Sequence, residues 1–91
     1  MAVYKVVTKT PAAKSLDQID RRADRERITS RIELLAENPR PFGSEKLQGQ
    51  ENTYRVRQGD YRIVYDIDDS TATVVVLKIK NRKDVYRRGR A

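Results

Sequence analysis

The sequence predicts a small α+β domain: an N-terminal strand, a two-helix hairpin, then a three-stranded antiparallel meander, with the helices packed on one face of the sheet. Three observations predict it. The run from Tyr54 to Tyr65, YRVRQGDYRIVY, alternates apolar and polar residues on either side of a turn at Gln58, Gly59 and Asp60, a hairpin signal. Thr73 to Ile79 is a strongly β-branched run. Upstream of both, apolar residues recur at helical spacing.

Val3 to Thr8, VYKVVT, reads as a short strand that ends at a helix start, with Thr10 as N-cap and Pro11 in the first helical position. Ala12, Leu16, Ile19 and Ala23 form one helical stripe. Ile28, Ile32 and Leu35, widened by Leu34, form a second. The phase shift between them divides the helices at about 11–21 and 24–37, although no Gly or Pro marks the break. Arginines here alternate with carboxylates at i, i+4 spacing, as in Asp17 with Arg21 and Arg22 with Glu26, so they read as a solvated face. Asn38-Pro39 stops the second helix. Leu47 is expected to bury, and Gly49 to supply a turn.

In the hairpin, Tyr54 and Val56 share a face with Tyr61, Ile63, Tyr65 and Ile67, while Arg55, Arg57, Arg62 and Val64 point the other way. The three tyrosines are therefore packing residues. Asp68, Asp69 and Ser70 form a polar turn. Strict alternation beyond it puts Val75, Leu77 and Ile79 on one parity and Val74, Val76 and Lys78 on the other. A strand apolar on both sides belongs inside its sheet. Val64, Val74 and Val76 would then form an outward apolar patch rimmed by Arg55, Arg57, Arg62 and Lys78, a partner surface.

The chain has 91 residues, no Cys and no His, which bounds it to one domain over 1–91 and excludes disulfides, thiolate or histidine nucleophile pairs and the usual zinc sites. The first apolar run ends by Val7, too short for a signal peptide or membrane span, so a cytoplasmic location is expected. The formal charge of +7 divides as +2 over residues 1–53 and +5 over 54–91, ending in a basic tail at about 87–91. Such an excess points to a polyanionic partner, nucleic acid or an acidic protein.

The combination of KLQG at 46–49, YRVRQGDYRIVYDI at 54–67, the valine-rich strand and NRKDVYR at 81–87 resembles the RelE/ParE superfamily of bacterial toxins from toxin-antitoxin pairs. The resemblance spans nearly the whole chain and implies a RelE-like fold. It further implies a toxin that cuts mRNA in the ribosomal A site without metal or cofactor. A cognate antitoxin, acidic or amphipathic, would silence it in a hetero-oligomer by covering Val64, Val74 and Val76. The family's working positions correspond to Arg55, Arg57, Arg62, Arg82 and Tyr86. On this basis Arg62, Arg82, Tyr86 and Arg57 are candidates for catalysis, and Arg55, Arg57, Lys46, Lys78, Lys80 and Lys83 for RNA binding.

In the ParE branch, which inhibits DNA gyrase without cutting RNA, that set is typically incomplete, so its presence favours RelE. The alternatives are a gyrase inhibitor and a non-catalytic basic module that binds RNA or protein. The expected reaction is attack of a 2′-hydroxyl on the adjacent phosphate, with guanidinium groups stabilising the phosphorane. Tyr86 would stack a base, move a proton or anchor the C-terminus. Asn81 stands where many relatives have His, and Arg55 and Arg57 where some have Lys. Arginine stays protonated to a pKa of about 12.5 or more, so the general base is unassigned.

Overall fold

A computed structural model describes residues 3–82. The elements are β1 (Lys5–Thr8), α1 (Thr10–Asp17), α2 (Arg22–Leu34), β2 (Glu45–Lys46), β3 (Thr53–Gln58), β4 (Tyr61–Asp68) and β5 (Thr73–Asn81). They form one sheet in the order β1-β5-β4-β3-β2, with β1 parallel to β5 and the other pairs antiparallel. The expected α+β architecture is present, β5 lies inside the sheet as its composition requires, and β2 is an added edge strand. The tail at 87–91, with Lys83 and Tyr86, lies outside the described residues.

Helix α1 starts one residue before its expected position. Lys9 is the N-cap and makes no side-chain cap bond. Its backbone N–H donates to the Val76 carbonyl at 2.9 Å, so pairing with β5 fixes the chain at the point where the helix begins. The helix break also falls earlier, between Asp17 and Arg22. There the Arg25 guanidinium donates to the Ile19 carbonyl and, at 3.2 Å, to that of Asp20. A side chain six residues away thus satisfies the backbone of a break that no glycine or proline announces. Asp17 and Arg21 consequently share no helix, whereas Arg22 and Glu26 do pair at 2.9 Å. Ala23 and Leu34 face solvent, Leu34 being 53% exposed, and Leu47 is only half-buried.

The core joins Ala12, Ile19, Ile28, Ile32 and Leu35 of the helical layer to Val56, Ile63, Tyr65, Ile67, Val74, Val76 and Ile79 of the sheet. Val74 and Val76 are both 0% exposed, beneath the helices, which overturns their assignment to an outward patch. The cause is a β-bulge: the register shifts between Val64 and Tyr65, so that Val64 pairs with Lys78 but Tyr65 with Val76. An extra residue in one strand reverses its alternation beyond that point. The expected parity holds for Ile79 but, on the far side of the bulge, is reversed for the valines. Val75 and Leu77 are half-buried.

At the hairpin, the Gly59-Asp60 loop has positive φ only at Gly59 (61°), the pattern of a type II′ turn. At the opposite end of the sheet, the Tyr65 hydroxyl donates to the Pro39 carbonyl at 2.7 Å, and burial pushes that phenol up to about 12. The Tyr65 ring stacks on Tyr54 with centroids 6.2 Å apart, and the Arg40 guanidinium lies 5.2 Å from the Tyr54 centroid. Arg40 then donates to both oxygens of Asp69, at 3.3 and 2.9 Å, and the Tyr4 hydroxyl donates to the same carboxylate at 2.6 Å. These contacts fasten the irregular connection after α2, and the N-terminal segment, to the β4–β5 turn.

Val74→Ala or Val76→Ala should each lower unfolding free energy by about 2 kcal/mol in urea titrations, because each opens a gap under the helices. Val75→Ala should cost well under half of that. The Arg40 hydrogen bond, and then that from Tyr4, hold the Asp69 carboxyl below the ordinary carboxylate range. A folded-state pKa below the unfolded value gives stability that is present above pH about 3.9 and lost as pH falls through the depressed value. Asp69→Asn should therefore flatten the decline of the urea midpoint on acidification toward pH 3.

Candidate nucleic-acid interface

Residues paired across adjacent strands point to the same side of a sheet, so the register sorts the helix-free face into rows. The row nearest the hairpin turn is Arg57 of β3, Arg62 of β4 and Lys80 of β5. The next is Glu45, Arg55, Val64 and Lys78. The third is Thr53, Asp66, Val75 and Val7, and the fourth holds Asp68, Thr73 and Lys5. Five of the six cations in these rows thus gather at the hairpin end, with Lys5 at the other beside Asp68 and Asp66. Within the third row the Thr53 hydroxyl donates to Asp66 at 2.6 Å, which accounts for a buried threonine on this face. Val64, 9% exposed and outside the core cluster, forms an apolar floor between Arg55 and Lys78.

Like charges directly opposite each other on paired strands destabilise a sheet. Here three cations stand abreast on three strands. Neither Arg57 nor Arg62 has an ion pair or side-chain hydrogen bond among the described residues, where the ion pairs are Arg22–Glu26, Arg40–Asp69 and Arg55–Glu45. Arg57 is exposed and Arg62 half-buried. Phosphate groups entering this face would supply the missing countercharge, and two neighbouring guanidinium groups suit bidentate contact with phosphate oxygens.

Of the expected site residues, the register brings Arg55, Arg57, Arg62, Lys78 and Lys80 to one face. Arg82 follows directly at the hairpin end, where its backbone N–H donates to the Asp60 carbonyl at 2.9 Å. Lys46 does not join them. It pairs with Tyr54 and so takes the opposite parity of edge strand β2. Val64 is on the basic face as expected, Val74 and Val76 are not, and Lys83 and Tyr86 lie outside the described residues. Sequence reasoning missed Glu45, whose carboxylate lies 3.3 Å from the Arg55 guanidinium. A strand of two residues carries no alternation to detect, so nothing local marked it. Among the described residues, no group of three or more acidic side chains is arranged to hold a metal ion. None of their helices is long and apolar enough to cross a membrane.

These features define a small α+β protein with a helix-covered core on one side of its sheet and a cationic, partly apolar surface on the other. The family model described as ParE toxin of type II toxin-antitoxin system, parDE, matches residues 6–86. Toxin RelE of Mycobacterium tuberculosis is 30% identical over 84 residues, spanning 92% of this chain and 87% of that protein. Toxin RelG of the same organism is 39% identical over 54 residues, 59% of this chain and a little under two thirds (62%) of RelG. A chain of the archaeal RelE-RelB complex from Pyrococcus horikoshii superposes with a TM-score of 0.78 at 30% identity, covering 90% of this chain and 97% of that one. The chain belongs to the RelE/ParE superfamily of type II toxin-antitoxin toxins, on its RelE side.

Because the cationic row opposes folding, Arg62→Gln should leave stability unchanged or raise it by about 0.2–1 kcal/mol at low ionic strength. Urea titrations should show the gain vanish at 1 M salt, where the Debye length is about 3 Å. A loss above 1 kcal/mol would instead make Arg62 a structural residue.

Proposed function

We propose that this protein is a ribosome-dependent mRNA endonuclease that cleaves in the A site and is silenced by a cognate antitoxin. The observation that carries the reading is the row of Arg57, Arg62 and Lys80, backed by Arg55 and Lys78. Such a face neutralises the charge that develops when an RNA 2′-hydroxyl attacks the adjacent phosphate. Arg62, central in its row and flanked by a cation on each side, would bind the non-bridging oxygens of the phosphorane. Arg57 shares that task from β3. Arg55, Lys78 and Lys80 would hold the flanking RNA backbone, and the Asp66 carboxylate in the next row would repel phosphates and favour the hairpin end.

Arg82 and Tyr86 retain the roles that the family resemblance implies for them, charge stabilisation and stacking or proton movement. A site open on one side of a sheet orders its substrate poorly by itself, so the ribosome would supply the in-line geometry. Action there places the protein in the cytoplasm. The antitoxin reading is supported by the RelE-RelB complex among the solved relatives. Its docking surface no longer includes Val74 or Val76.

The gyrase-inhibitor alternative keeps one specific support, the ParE description of the matching family model. Primer extension on a defined mRNA distinguishes the two. Wild-type protein should give discrete codon-phased cuts on translating ribosomes and little on naked transcript. Arg62→Ala should reduce cutting by about 100-fold or more, given the worth of one preorganised charge contact, while antitoxin binding persists. An uncut message in the presence of ribosomes, with inhibited DNA supercoiling, would overturn the endonuclease reading in favour of gyrase.

A further inference from the structure

Among the described residues, Phe42 is the large apolar side chain most open to solvent, at 101% exposure against 70% for Val3 and 53% for Leu34. A single exposed apolar residue is ordinary, but this one is held out firmly. Phe42 occupies the second position of the tight turn at 41–44. There the Ser44 N–H donates to the Pro41 carbonyl at 2.9 Å and Gly43 takes φ 91°, the pattern of a type II turn. Both arms of the turn are tied down. On one side the Pro39 carbonyl accepts from the Tyr65 hydroxyl at 2.7 Å, and Arg40 bonds Tyr54 at 3.2 Å and Asp69 at 2.9 Å. On the other, Glu45 pairs with Arg55 at the sheet edge. The tip therefore has little freedom to fold its ring back onto the core.

Three residues separate Phe42 from Glu45, so its backbone lies within about 11 Å of the end of the row that runs Glu45, Arg55, Val64, Lys78. No other exposed large apolar side chain belongs to the connection between α2 and β2, so no apolar patch surrounds the ring for a folded protein to cover. A lone planar ring at the rim of a guanidinium-bearing face matches a different partner. Single-stranded RNA offers phosphates to the cations and base faces to the ring, and aromatic side chains stack on bases that are free of a helix.

We infer that Phe42 is a stacking platform for an unpaired base of the RNA whose backbone lies on the cationic face. This rests on the RNA-binding part of the endonuclease reading and not on cleavage. The base belongs to the message or to ribosomal RNA, and the same stacking chemistry serves both. Phosphates repeat identically along a strand, so Arg55, Arg57 and Arg62 hold the backbone without fixing where along it they bind. A base held on the ring beyond the β2 edge supplies that missing position. It also explains why the turn is fastened on both sides, since a stacking surface is useful only when it is already in place.

The chain has no Trp, so Phe42→Trp introduces a unique fluorophore at a position open enough to hold the larger ring. Its emission should be quenched as short oligouridylate saturates the protein at low salt, and unchanged by an abasic oligonucleotide of the same length and charge. Phe42→Ala should weaken oligouridylate binding about 5-fold or more. The slope of affinity against salt should stay as in the wild type, because no phosphate contact is lost. Phe42→Tyr should keep the affinity and Phe42→Leu should not. Unquenched emission, wild-type affinity in Phe42→Ala, or a Phe42→Leu variant as tight as Phe42→Tyr overturns the inference. So does a Phe42→Ala variant defective only in antitoxin binding, which makes the ring a protein contact. On ribosomes, a Phe42→Ala loss of affinity that persists at an empty A site assigns the base to ribosomal RNA, and a loss seen only with a codon in the site assigns it to the message. Quenching with an uncut message removes the endonuclease reading and leaves this one, and codon-phased cuts without quenching do the reverse.

Discussion

The β-bulge in β5 is the constraint on which both faces of this sheet depend. Were the register of the Tyr65–Val76 pair continued without it, Lys78 would stand opposite Ile63 in the core and Ile79 opposite Arg62 on the cationic face. Burying an unpaired ammonium costs several kcal/mol, and an exposed isoleucine would forfeit a core contact. One inserted residue resolves both conflicts. It lets Val74, Val76 and Ile79 all pack under the helices while Lys78 and Lys80 join the arginines. Bulges are common beside functional sites because they re-aim side chains in this way.

The same division of labour explains how the fold tolerates its charged rows. Cohesion is concentrated on the helical side and at the end of the sheet away from the hairpin turn. There Tyr65 bonds Pro39, the two tyrosine rings stack, and Arg40, Asp69 and Tyr4 tie the connection after α2 to the β4–β5 turn. Arg57, Arg62 and Lys80 stand at the other end, where their mutual repulsion acts on a tight two-residue turn. The repulsion is compatible with folding because none of the three side chains is buried and solvent screens their charges. Arg57 and Arg62 remain open to anions on this face, which is what a phosphate-binding surface requires.

Much of this was legible in the residues. The hairpin, its Gly59 turn, the inward tyrosines and the outward arginines follow from alternation about one strong turn signal. The helices follow from their apolar spacing. Elements that escaped detection or were misplaced share a cause. The helix break is present but begins a few residues earlier than the phase shift indicates, because it is closed by Arg25, a long-range donor with no local signature. Strand β2 spans two residues and exists only because β3 offers it an edge, so Lys46 was placed with the arginines and Glu45 was passed over. The assignment of Val74 and Val76 failed at a bulge that a run of similar β-branched residues cannot reveal.

By itself, the sequence determined which side chains are available for chemistry: arginines in quantity, no histidine, no cysteine, and a hairpin that separates its arginines from its tyrosines by parity. Those are properties of composition and of period-two geometry, which need no knowledge of neighbours. Only the tertiary structure decided which residues stand side by side. Register between strands, the inserted residue in β5 and the docking of a two-residue edge strand depend on contacts between distant segments. They set Arg57 beside Arg62 and Lys80, moved Val74 and Val76 into the core, and brought the Glu45 carboxylate to the cationic face.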